Sequence, residues 1–148
     1  MRFVIDHLGV GYAPPLLGVF PPEPFEHLPE VLDFARFSNV SLKLTGAPAL
    51  SAEPYPFRDV WPSVYEIVAS YGVERVMWGS DFTRAAGLVS YWDTTHFLSE
   101  MDAFRPDDLE WLYGGSIRKF LRWSPGPHVR PRPSHDHHEP FTKQGDTR

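Results

Sequence analysis

The 148 residues predict an α/β fold with parallel strands, about three βα units of a partial (β/α)8 barrel. Two observations carry this. Short apolar runs alternate with stretches of helical periodicity along the chain. The runs also recur about every 35 residues, near one-eighth of the roughly 250 residues of a complete barrel.

Phe3 to His7 is the first run, and Gly9 and Gly11 close it. Pro14, Pro15, Pro21, Pro22 and Pro24 then mark a loop. From Phe25 to Phe37, Leu28, Val31, Leu32 and Ala35 recur at helical spacing. Val40-Ser41-Leu42-Lys43-Leu44 alternates with period two and reads as the second strand. A second Pro-rich loop covers residues 46 to 56. A helix is expected over Phe57 to Tyr71, with Val60, Trp61, Val64, Ile67 and Val68 on one face and Gly72 as its C-cap. Glu74 to Trp78 is the third strand, followed by Gly79-Ser80-Asp81. Tyr91 to Met101 and Asp107 to Trp123 read as helices, the second broken at Gly114-Gly115. Residues 1–123 are thus expected to form the barrel segment. Residues 124–148 hold five prolines, four histidines and a single aromatic, and are expected to be a disordered tail.

Composition excludes several functions. The net charge is -5 and no basic cluster is present, which argues against nucleic acid as a partner. No apolar run approaches the roughly 20 residues of a membrane-spanning helix. There is no cysteine, so disulfides and thiolate metal sites are absent. The first residues lack the apolar stretch of a secretion signal. A cytoplasmic protein acting on a small molecule is expected.

Three polar residues fall at or near the C-terminal ends of the predicted strands: His7, Lys43 (with Thr45 beside it) and Asp81. Parallel α/β folds bring those ends to one rim, where ligands bind. A His and an Asp there can hold a divalent metal or share a proton transfer, and a Lys can hold an anionic group. Each residue also has a plainer reading. A histidine at a strand end is commonly a hydrogen-bonded packing residue. Asp81 after Gly79-Ser80 can be a helix cap. Lys43 can be a solvated edge residue. Strict alternation along the first strand puts His7 on the face of Phe3 and Ile5, with Val4 and Asp6 opposite. Gly9-x-Gly11 is not a dinucleotide loop, because Pro14 replaces the third glycine. His135-Asp136-His137-His138 reads as an adventitious metal-binding tract in the tail.

Val4-Ile5-Asp6-His7-Leu8-Gly9, Asn39 to Gly46 and Arg75-Val76-Met77-Trp78-Gly79-Ser80-Asp81-Phe82 together resemble the amidohydrolase-related family. Leu112 to Arg118 is similar to that family's last helix. The resemblance covers about residues 3 to 123 and implies the last three units of a metal-dependent barrel hydrolase. It implies that Asp81 ligates a divalent metal, zinc or manganese, or acts as general base on a water. It implies that His7 is a second ligand or stabilises charge on the substrate. It also matches Lys43 to the family's seventh-strand lysine, here read as substrate-binding. The expected substrate is a small carboxylate, lactone or amide, turned over by hydrolysis or by a lyase reaction. The family's His-x-His metal pair has no counterpart in this sequence, and His27 and His96 lie on predicted helices. The site is therefore expected to be incomplete in the isolated chain. The alternative is a non-catalytic barrel fragment or interaction module. Open strand edges imply a partner, either a second copy or a separate N-terminal barrel half.

Overall fold

The computed structural model describes residues 1–10 and 23–123. The predicted tail and the His135 to His138 tract lie outside the described residues, as does most of the first Pro-rich loop. Three strands, β1 (Phe3–Ile5), β2 (Val40–Thr45) and β3 (Val76–Gly79), form one sheet in the order β1-β2-β3. All pairs are parallel, with Phe3 beside Val40, Ile5 beside Leu42, Leu42 beside Val76 and Thr45 beside Gly79. Helices α1 (Leu28–Asp33) and α2 (Trp61–Tyr71) connect them. After β3 come α3 (Phe82–Ala85), α4 (Tyr91–His96), α5 (Pro106–Glu110) and α6 (Ser116–Leu121).

Alternation sorts β2 as the sequence implies. Leu42 and Leu44 are fully buried and pack with Val64, Ile67, Val76, Phe97 and Leu98 in the core. Burial of this kind contributes ~1.5–3 kcal/mol per large aliphatic side chain. Ser41, Lys43 and Thr45 take the other face, the side that lines the interior of a closed barrel. On β3, Trp78 faces the helices, donating to the Thr94 carbonyl and stacking edge-on against Tyr113.

Several helices are shorter than the periodicity suggests. The first is a helix only over Leu28–Asp33, continued by a 3-10 turn at Phe34–Arg36. The second begins at Trp61, with Pro62 in its first turn and a 3-10 turn at Arg58–Val60 before it. Gly72 ends it at φ 75°, as expected of a C-cap glycine. The third runs Tyr91–His96 and tightens into a 3-10 turn at Phe97–Glu100. Gly114-Gly115 does not break the last helix. It belongs to a π-helical turn, Trp111–Gly115, that joins α5 to α6 without interruption. A wider turn accommodates the ring of Trp111, whose Cε3 would lie 2.7 Å from any Cβ at position 115.

Among the described residues no strand pairs with the outer edge of β1. Phe3, Phe34 and Phe37 stand 52%, 48% and 44% exposed along it, lining a groove of about 480 Å³ with Ile5 and Val40. No helix among the described residues is long and apolar enough to cross a membrane.

Candidate active site

β1 stops at Ile5, one residue before alternation would matter for His7. Asp6 keeps extended backbone and its carboxylate accepts the His7 N–H at 2.9 Å. His7 and Leu8 then turn into the left-handed region, at φ 46° and 57°. This corrects the expected placement. His7 does not share the face of Phe3 and Ile5; the turn swings its ring over the rim, while Leu8 drops into the core at 1% exposure.

Asp81 also sits at positive φ, 48°, two residues after the end of β3. It is the N-cap residue of α3, but its side chain makes no capping hydrogen bond. The carboxylate instead lies over Gly46. A Cβ at position 46 would come 2.9 Å from Asp81 Oδ2, and φ there is 79°. Only glycine meets both conditions without strain. The Asp81 side chain is 8% exposed, and its Oδ1 lies 3.6 Å from His7 Nε2. Among the described residues no Lys or Arg pairs with it. A carboxylate so enclosed needs a positive partner.

Lys43, on the interior face of β2, donates to Asp6 Oδ2 at 3.1 Å. Asp6 Oδ1 lies 3.2 Å from His7 Nδ1. The three predicted residues are thus brought together, joined by a fourth that strand-end position alone does not single out. Lys43 touches Asp6, Asp6 touches His7, and His7 faces Asp81. Burial pushes the Asp6 carboxyl up, but the Lys43 hydrogen bond and the His7 N–H outweigh it and hold it below the usual 3.8. A signal for Asp6 exists: Val4 pairs with Ser41 in register, so alternation sets Asp6 beside Lys43. His27 pairs with Glu26 on the surface and His96 stacks on Trp92, so neither joins the rim.

The separation of His7 and Asp81 bears on a metal. Two ligands ~2.1 Å from a tetrahedral zinc lie about 3.4 Å apart, close to what this pair shows. The residues therefore fit two corners of such a site. Among the described residues no cluster of three or more His, Cys, Asp or Glu is present, whereas a catalytic zinc usually takes three protein ligands.

Two strained residues on the C-terminal rim of parallel strands, one basic and one acidic, mark the ligand-binding end of a partial (β/α)8 barrel. Residues 1–123 match the amidohydrolase family model, and the chain belongs to that family. Among solved structures it is similar to an amidohydrolase from Burkholderia multivorans with bound HEPES, at 17% identity and TM-score 0.63. It is similar also to the zinc-bound form of an amidohydrolase from the same organism, at 17% identity and TM-score 0.62. A protein described as a putative 2-pyrone-4,6-dicarboxylic acid hydrolase from Pseudomonas putida matches at 24% identity and TM-score 0.60. Each match covers 82% of this chain but only 43% or 44% of the other, so the chain spans less than half of these proteins. No curated protein sequence matches.

Proposed function

We propose that this chain supplies one wall of the active site of a metal-dependent hydrolase, or lyase, acting in the cytoplasm on a small carboxylate, lactone or amide. The observation that carries the reading is the 3.6 Å approach of His7 Nε2 to Asp81 Oδ1 on the rim, with both residues at positive φ. Asp81 and His7 would hold a divalent ion, zinc or manganese, which supplies a bound water of pKa near ~7. Alternatively, Asp81 would take a proton from the attacking water, and His7 would offset charge on the substrate. Lys43 uses one of its three donors on Asp6 and has two for a substrate carboxylate. The neighbours support this reading by what they are described as: a dicarboxylic acid hydrolase and a zinc-bound amidohydrolase.

The remaining ligands would come from a separate N-terminal barrel half seated on the open β1 edge, where Phe3, Phe34 and Phe37 await cover. The test is metal content after dialysis, for the chain alone and with such a half. About one equivalent, bound only in the assembled barrel and lost in Asp81→Asn, is expected. Metal retained in a His7→Asn, Asp81→Asn double variant would sink the ligand assignment. Metal bound by the chain alone would point to a second copy of the chain as the partner.

A second reading has its own observation, since among the described residues no three His, Cys, Asp or Glu side chains gather so as to hold a metal. On it the chain is a non-catalytic fragment or interaction module. A reconstituted barrel that binds no metal and hydrolyses no lactone or dicarboxylate would establish it.

A further inference from the structure

We propose that residues 127–133, beyond the last helix, add to the unpaired edge of β1 as an edge strand. The inference needs no hydrolase chemistry. It shares only that edge with the reading above, so a separate barrel half would have to displace the segment before docking.

The first observation is a row of unused backbone groups. Phe3 donates its N–H to the Asn39 carbonyl at 2.9 Å, so its amide faces β2. Successive residues of a strand turn their backbone groups to opposite sides. Val4 therefore turns its N–H and C=O away from β2, where no strand among the described residues pairs. Such a row is a template for an added strand.

The second is the spacing of prolines. Pro125, Pro127, Pro131 and Pro133 all hold odd positions, and Val129 fills the odd position between them. His128, Arg130 and Arg132 lie at the even ones. Proline has no N–H and is tolerated in a strand only where that side faces solvent. An extended segment with this pattern can pair through its even residues and no others. Its prolines then face outward and block any further strand.

The chain leaves α6 at the right place. Arg2, one residue before β1, donates to the Phe120 carbonyl and lies over the Phe120 ring, 4.9 Å from its centroid. Seven residues carry the chain from Trp123 to Arg130, a reach of about 23 Å when extended. The segment thus arrives at the start of β1 and runs parallel to it, as the other pairs of the sheet do. With Val4 paired between them, Arg130 and Arg132 stand level with Phe3 and Ile5 and share their face. That face is the groove that Phe34 and Phe37 also line. Guanidinium groups pack on aromatic rings, as Arg36 already does on Phe37 at 4.8 Å. Charge agrees as well. α1, which ends beside the groove, carries Glu30 and Asp33 and no basic residue, whereas residues 127–133 carry two arginines and no acid. Composition alone gives this segment too little apolar surface to fold by itself; the edge of β1 supplies the partner it lacks.

The experiment reads hydrogen exchange at the Val4 amide in the full-length, nitrogen-15-labelled chain. In the wild type this amide should exchange about tenfold or more slowly than in an Arg130→Pro, Arg132→Pro double variant, which loses both N–H groups that face β1. Val129→Pro removes an N–H that faces outward and should keep the wild-type rate. The substitutions lie beyond α6, and unchanged amide signals over residues 23–123 would show that the fold is intact. Equal Val4 rates in all three chains overturn the inference, as does a loss of protection in Val129→Pro as large as in the double variant. Protection that rises with chain concentration overturns it too, because it gives the edge to a second copy. Neither metal nor turnover is read, so the hydrolase reading can fail while Val4 stays protected, and the reverse.

Discussion

The two ends of the sheet are built on opposite terms. At the N-terminal ends, the Arg75 guanidinium donates to the carbonyls of Tyr71, Phe37, Val40 and Ala35 at 2.8–3.1 Å, and its charge lies over the Tyr71 ring. One side chain thus ties the end of α2, the turn after α1 and the start of β2 into the approach to β3. Ser116 adds a hydrogen bond to the Val76 carbonyl, and Lys119 pairs with Glu74. At the C-terminal ends the polar groups are less satisfied. Asp81 is enclosed, with His7 its one charge partner among the described residues, and both residues hold backbone conformations that cost ~1–3 kcal/mol each. The contrast is one of satisfaction: one end spends its polar groups on tying the segment together, and the strained end leaves its polar groups with few partners among the described residues.

The largest predicted effect tests the rim. In a barrel reconstituted with an N-terminal half, Asp81→Asn should lower kcat by ~10²–10⁴, or about 3–5 kcal/mol of barrier. Its melting temperature should stay near wild type. Near-normal turnover would break the comparison at its strained end. Next is Arg75→Met, which removes a donor from four carbonyls and should cost about 2–4 kcal/mol in denaturant unfolding. A loss below about 0.5 kcal/mol would show that this end does not hold the segment together.

A pair of glycines sharpens the contrast. Gly46 and Gly72 have φ of 79° and 75°; a methyl group would meet Asp81 at the first and nothing within 4 Å at the second. Alanine at either should cost roughly 1–3 kcal/mol through the backbone. Only Gly46→Ala should also lower turnover, because it displaces Asp81. Equal activity in both variants would mean that the seat of Asp81 is not needed.

The smallest effect is on the surface. Asp108 accepts the Arg105 N–H at the start of α5, which holds its carboxyl below the usual 3.8. A lowered folded value stabilises the protein above the unfolded value, and this is lost as pH falls through the folded one. Asp108→Asn should therefore lower the melting temperature slightly at pH ~7 and leave it unchanged well below pH ~3. A difference that persists in acid would assign the effect to something other than this charge.

Much of the fold was legible because it rests on local pattern. The alternation of Val40 to Leu44 and the apolar stripe of α2 follow from which side chains avoid water. Lys43 and Asp81 were legible as rim residues because strand ends in a parallel sheet share one side. The location of His7 was right for a different reason from the one the sequence suggests, since the strand ends early and a left-handed turn re-aims the ring. That error also hid Asp6, which alternation places beside Lys43 once β1 and β2 are in register.

The sequence by itself determined the order of elements, the inner and outer faces of β2 and the family, because periodicity and short motifs are properties of neighbouring residues. Only the tertiary structure decided that Asp6 lies between Lys43 and His7, that Gly46 seats Asp81, and that Arg75 gathers four carbonyls from three elements. The long-range contacts among these join residues 35 to 40 positions apart, and such distances close only when packing of the core fixes where each strand end lies.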